Sequence, residues 1–221
     1  MSRRLRIDIY TDTVCPWCFL GKRRLQAALD MRPQLAPRLT WRPFELNPDL
    51  PLEGMQRTEF LATRVANVER FRESERQLIE LGRAAGIDFR FDRIERVPNT
   101  RRSHLLISLA ARRGRDHLVV ERLMRAYFEE GLDIGDIDTL VRLGVECGLA
   151  EREALSALVL RTGQDAIVAA QRHAATLGLG GVPAYIFNGE YAISGAQEPA
   201  ALMSMLDRVV AGAAAVEADD A

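Results

Sequence analysis

The chain predicts an α/β fold in which a β-α-β unit and a β-β-α unit are separated by a large all-helical insertion. Three observations predict it. Near the N-terminus, Leu5-Arg6-Ile7-Asp8-Ile9-Tyr10 reads as a strand, and the apolar residues of Phe19 to Leu29 then recur at helical spacing. From about Met55 to Leu177 the apolar pattern is helical throughout. Near the C-terminus, Asn188-Gly189 divides two β-rich runs, the strongest short-range signal for a hairpin.

Each element follows in order. After the first helix, Arg38 to Leu46 reads as a second strand, and Pro43 places it near an edge or an irregularity. Strand, helix and strand of these lengths form a right-handed parallel crossover. Asn47-Pro48-Asp49-Leu50-Pro51 marks a break. One long helix is expected over Arg57 to Ala85, stopped by Gly86. A second starts near Asn99-Thr100, after Pro98, and ends before Gly114. A third runs from Asp116 to Glu130, ahead of Gly131. Asp138 caps a fourth that stops at Gly148. Glu151 to Arg161 and Gln164 to Leu177 supply two more. Strands over Val182–Phe187 and Glu190–Ser194 flank Asn188-Gly189, where a type I′ turn needs positive φ at both positions. Pro199 then opens a helix over Ala200 to Val210. This order is that of a thioredoxin fold with an all-helical domain inserted. Residues 1–50 and 179–212 form the thioredoxin-like domain, 51–178 the insertion, and 213–221 a frayed, solvated tail.

Composition narrows the function classes. With 48% hydrophobic and 28% charged residues and a formal net charge of −1, the chain offers no basic footprint for nucleic acid. Its cations are almost all arginine, Lys22 being the exception. A phosphate-binding patch is one reading of that bias, and codon usage the simpler one. No apolar run is long enough to span a bilayer, so no membrane partner is expected. Met1-Ser2-Arg3-Arg4 leads straight into the first strand with no apolar leader, which points to a cytoplasmic location. In a reducing compartment a C-x-x-C pair is more often catalytic or metal-binding than a structural staple.

Cys15-Pro16-Trp17-Cys18 carries the chemistry. Positions i and i+3 of a helical turn lie about 5 Å apart at Cα, within the window a disulfide tolerates. Cys15, at the helix N-terminus, meets unpaired N–H groups that favour a thiolate, and it is the expected nucleophile. Cys18, a turn further in, is the expected resolving thiol. The competing reading is a metal site. Zinc usually wants four ligands, and the remaining Cys147, His104, His117 and His173 are scattered singly on expected helices, so no metal is assigned.

Pro16 and Trp17 are expected to contact substrate, Trp17 as an exposed aromatic surface. Pro-Trp adds no positive charge, which points to an intermediate to reducing potential. Val182 and Pro183 are the second expected contact. A proline opening the third strand of a thioredoxin fold sits opposite the cysteines in a cis bond, and the Val182 backbone can then pair with an extended substrate. An ordinary loop-to-strand proline is the alternative. Gly180-Gly181 would permit close backbone approach. Asp8, on a strand expected to be buried on both faces, is a candidate proton relay to Cys18. A carboxylate held by backbone or arginine is the other reading. Asp12 and Thr13 read as turn and capping residues. His104 is a candidate cleft contact, with a satisfied core or surface histidine as the alternative. Cys147 reads as apolar filler near a helix end.

Asp12-Thr13-Val14-Cys15-Pro16-Trp17-Cys18 with Gly21 and Arg24, the stretch Gly181 to Phe187 continuing through Ser194-Gly195-Ala196-Gln197, and Arg125-Ala126-Tyr127-Phe128 resemble the DsbA family, in its FrnE-like branch. The resemblance covers nearly the whole chain. It implies a thioredoxin fold, dithiol–disulfide oxidoreductase chemistry on protein or small-molecule thiols and disulfides, disulfide isomerisation as a further activity, and a cis-proline at Pro183. Typical secreted members carry a signal peptide, and none is read ahead of the first strand here, so an oxidative-folding role is not expected to carry over. The superfamily also contains kappa-class glutathione transferases and 2-hydroxychromene-2-carboxylate isomerases, which generally place a serine where this chain has Cys15. A glutathione-dependent isomerase or transferase is therefore the alternative function. No tightly bound cofactor is expected, and glutathione is a candidate reductant or ligand. A non-enzymatic module holding metal on its cysteines is a third reading.

Overall fold

A computed structural model describes residues 5–219, with side chains described through residue 212. Its main sheet is built on β1 (Arg6–Thr11), which lies parallel to β2 (Arg38–Pro43) and antiparallel to β5 (Ala184–Phe187). β6 (Tyr191–Ser194) pairs antiparallel with β5, giving the order β2-β1-β5-β6. The β1–β2 crossover is α1 (Pro16–Asp30). At the hairpin tip Asn188 and Gly189 both take positive φ, 54° and 82°, and the Glu190 N–H donates to the Phe187 carbonyl at 3.0 Å. This is a thioredoxin fold with a helical insertion.

Strand alternation sorts the sheet's two faces. Ile7 and Ile9 of β1, with Tyr185 and Phe187 of β5, share one core with Phe19, Leu20 and Leu25 of α1 and Leu202 and Leu206 of α9 (Pro199–Asp219). Tyr10 and Ala184 face the other way, onto Ala174 of α8 (Gln164–Thr176). The first core continues into the insertion without a break: the Phe19 ring stacks on Phe128 at 6.1 Å and meets Phe89 edge-on at 6.0 Å.

The insertion departs from the expected pattern at three places. The long helix is two, α2 (Arg57–Arg64) and α3 (Val68–Ala84). Val65 is extended, and Asn67 caps α3 by accepting the Arg70 N–H at 2.9 Å. A short ladder of β3 (Met55–Gln56) with β4 (Arg96–Val97) sits where only helix was expected. Two residues per strand are too few to leave an alternating pattern. The remaining helices are α4 (Arg101–Ala111), α5 (Asp116–Phe128), α6 (Ile137–Glu146) and α7 (Glu151–Val159). The cap of α6 is Asp136, which accepts the Thr139 N–H at 2.8 Å, whereas Asp138 lies within the first turn. The backbone of α9 continues to Asp219, so helix enters the segment 213–221 read as a frayed tail. Its last two residues, like Met1 to Arg4, lie outside the described chain. Among the described residues no helix is long and apolar enough to cross a membrane.

Candidate active site

The turn 12–14 carries the chain from β1 into α1. Cys15 is the N-cap of α1, with φ −91° and ψ 111°, and its N–H donates to the Asp12 carbonyl at 3.2 Å. Its own carbonyl accepts the N–H groups of Cys18 at 3.0 Å and Phe19 at 3.3 Å, which closes the first turn. Pro16 occupies the first helical position, where no N–H is needed. Neither cysteine is bridged in this structure, and both residues are nearly covered, 4% exposed at Cys15 and 2% at Cys18. Burial pushes the Cys18 thiol well up, and the neighbouring Cys15 sulfur adds to the rise. The Thr11 hydroxyl and an Asp12 main-chain hydrogen bond oppose it more weakly. Cys18 therefore stays protonated at neutral pH.

Across from the cysteines the Val182–Pro183 peptide is cis, and the Cys15 thiol donates to the Val182 carbonyl at 3.6 Å. A glycine makes this approach possible. A Cβ at Gly21 would lie 3.0 Å from Pro183 Cγ and would overlap the Tyr185 hydroxyl. Arg24, one turn on, fastens the following loop through the Ala196 carbonyl at 2.6 Å and Glu198 at 2.5 Å.

A cleft of about 420 Å³ opens beside Cys15. Pro16, Trp17 and Val182 line it on the thioredoxin side, and the insertion supplies Phe60 of α2 and Phe71, Glu75 and Leu78 of α3. Residues 71, 74, 75 and 78 form one helical stripe, so the amphipathic pattern of α3 was the readable signal for this wall. Arg57 and Glu75 are ion-paired on it, each 16% exposed. Phe60, Phe71, Glu75 and Leu78 are not among the residues the sequence marks for the site, because what an amphipathic face covers is set by packing.

Two candidates lie elsewhere. Asp8 is not beside Cys18. Alternation turns it onto the α8 face of the sheet with Tyr10, away from α1, and its carboxylate is half-buried against Arg42 at 2.9 Å. The arginine-bound reading of Asp8 describes what is seen. His104 does not line the cleft either. It is buried at 2% exposure, with Nε2 3.4 Å from Asp12 Oδ1. Asp12 is itself fully buried, and its Oδ2 accepts the Leu46 N–H at 2.8 Å. Thr13 shares a 2.8 Å hydrogen bond with Ser103 of α4. The turn is thus anchored to the insertion by side chains that read as ordinary turn residues. Cys147 is buried at the end of α6, His117 lies by Trp41, and His173 is exposed on α8.

Comparison with known proteins agrees with this architecture. The model of the DSBA-like thioredoxin domain matches residues 6–207. The uncharacterized protein YwbO of Bacillus subtilis (strain 168) is 29% identical over 198 residues, 87% of this chain and 90% of its own. The crystal structure of the probable DsbA oxidoreductase SCO1869 from Streptomyces coelicolor has a TM-score of 0.85 at 29% identity, over 93% of this chain and 89% of that one. The cytosolic disulfide reductase DsbM from Pseudomonas aeruginosa, solved with GSH, has a TM-score of 0.67 at 18% identity, over 92% and 98%. At that identity the likeness is one of fold.

Proposed function

The chain belongs to the DSBA-like thioredoxin domain family, and on that premise we propose that it exchanges disulfides with thiol or disulfide substrates through Cys15 and Cys18. One observation carries the reading. Cys15 caps α1 with its sulfur 3.6 Å from the carbonyl ahead of the cis Pro183, and Cys18 sits buried one turn behind.

In the reducing direction, the Cys15 thiolate attacks one sulfur of a substrate disulfide. A Cys15–substrate disulfide forms, and the departing thiolate takes a proton from solvent. Cys18 then gives up its proton to solvent and attacks the Cys15 sulfur, expelling the second substrate thiolate. Two electrons pass to the substrate, and the protein is left with a Cys15–Cys18 disulfide. The reverse sequence donates that disulfide. Trp17 and the Val182 backbone border the attacked bond and hold the substrate there. The Cys-Pro-Trp-Cys motif and the stretch Gly181 to Gln197 support the FrnE-like branch within the family. A soluble, cytoplasmic setting suits the pair, as it does the cytosolic reductase DsbM, whose fold is shared.

The test is direct. Reduced protein is expected to accelerate insulin disulfide reduction, Cys15→Ser to abolish this, and Cys18→Ser to accumulate mixed disulfides. Titration against glutathione buffers is expected to place the couple between about −270 and about −180 mV, the span from thioredoxin to protein disulfide isomerase. Full activity in Cys15→Ser would remove the proposal.

A further inference from the structure

We propose that the cleft beside Cys15 selects small thiols and disulfides whose sulfur carries an uncharged, ring-sized apolar group, and that it discriminates against charged ones. The inference rests on the disulfide-exchange reading and specifies its substrate class.

Position comes first. Cys15 and Val182 are among the residues that line the cleft, so a group bonded to a sulfur on Cys15 can be housed in it. The volume of about 420 Å³ falls in the lower part of the range for small-ligand sites, roughly 300–1,000 Å³. The walls are mainly aromatic and aliphatic: Trp17, Phe60, Phe71, Leu78 and Phe91 among them. Phe60 comes from α2, a helix with no fully buried side chain, which nonetheless turns this ring toward the cleft.

Charge decides the class. Among the described lining residues, the charged side chains other than the reactive thiol are Arg57 and Glu75, and these neutralise each other. The Arg57 guanidinium is occupied further, lying 5.8 Å from the centre of the Phe71 ring. An anionic or cationic substituent entering the cleft would lose hydration and meet no unpaired counter-charge. A neutral ring loses little and gains contact with the aromatic wall.

The experiment uses the full chain carrying Cys18→Ser, so that adducts on Cys15 persist. It compares methanethiosulfonates bearing benzyl, sulfonatoethyl or trimethylammonioethyl groups. In each case the Cys15 thiolate attacks the sulfenyl sulfur, the Cys15–S–S–R bond forms, and the same methanesulfinate leaves. Rates are followed by mass spectrometry with the adduct mapped to Cys15, each divided by the reagent's rate with N-acetylcysteine amide. The benzyl reagent is expected to lead both charged ones by roughly tenfold to a hundredfold, as burial of one aromatic ring allows. Phe71→Ala is expected to shrink that lead several-fold. Glu75→Gln leaves Arg57 unpaired and is expected to raise the sulfonatoethyl rate while leaving the trimethylammonioethyl rate low. Arg57→Gln is expected to do the opposite. A damaged fold would not produce that reversal of sign. Equal normalised rates, or a charged reagent leading in the Cys18→Ser protein, overturn the selectivity alone. Failure of Cys15 to react with any reagent overturns the exchange reading and the selectivity with it.

Discussion

Asp12 and His104 form a buried pair beneath the turn that presents Cys15. Nε2 of His104 lies 3.4 Å from Oδ1 of Asp12, and the two residues are 2% and 0% exposed. Among the described residues neither atom has an aligned hydrogen-bond partner, so each depends on the other for its polar environment. Through Oδ2 and its main-chain carbonyl, Asp12 also ties Leu46 and Cys15 to the same point. Cutting this pair is expected to destabilise the fold. Asp12→Ala leaves the Leu46 N–H without its acceptor and Nε2 of His104 without the carboxylate beside it, and should cost about 1–3 kcal/mol. Asp12→Asn keeps an acceptor for Leu46 and should cost less. Urea denaturation midpoints check the order; equal midpoints for wild type and Asp12→Ala would show that the pair anchors nothing.

Gly21 is where α1 and the Pro183 loop touch. A methyl group there would meet Pro183 Cγ at 3.0 Å and overlap the Tyr185 hydroxyl. Gly21→Ala is expected to cost about 1–3 kcal/mol, the usual range for overpacking, and to slow reaction at Cys15 as the loop is pushed away. Iodoacetamide alkylation rates and thermal denaturation measure the two effects. An unchanged melting temperature would mean that the loop yields freely.

Lys22 and Arg23 converge on Glu121, at 2.5 Å each, and Lys22 is only 5% exposed. Burial holds the Lys22 ammonium below its ordinary pKa, with Glu121 acting against this. Glu121→Gln strips a buried cation of its carboxylate and is expected to cost about 3–5 kcal/mol. Adding Lys22→Met to that variant should recover part of the loss. A double-mutant cycle in guanidinium chloride reads the coupling, and strict additivity would count against a buried pair.

The Cys18 thiol, raised by burial, makes the reduced protein's stability depend on alkaline pH. Its contribution is complete below the thiol's ordinary 9.0 and falls as pH rises above it, because the unfolded chain releases a proton that the folded one retains. Tyr10, Tyr127 and Tyr185 are raised in the same way, so wild type alone does not isolate the effect. Reduced wild type is expected to lose more stability than Cys18→Ser between about pH 8 and about pH 10. Parallel pH profiles for the two proteins would count against a suppressed Cys18 thiolate.

The frame of the fold was readable because its signals are local. Gly86, Gly114, Gly131 and Gly148 all take positive φ just beyond helices, where the sequence had set their ends. The break at Val65 to Asn67 was missed because an apolar stripe can run past a cap without changing period. The Asp136 cap was misplaced by two residues because both aspartates suit a helix start, and only the bond to Thr139 separates them.

The sequence by itself determined that two cysteines open a helix after a strand, that a proline precedes a later hairpin, and that helices fill the interval. Helical and strand periods, turn chemistry and i,i+3 spacing are properties of consecutive residues. Tertiary structure alone decided that Asp8 turns to Arg42, that His104 turns inward to Asp12, and that Phe60, Phe71 and the Arg57–Glu75 pair wall the cleft. The face a carboxylate takes and the partner that neutralises it depend on which distant segments pack together. That information lies in the three-dimensional contacts and in no short stretch of chain.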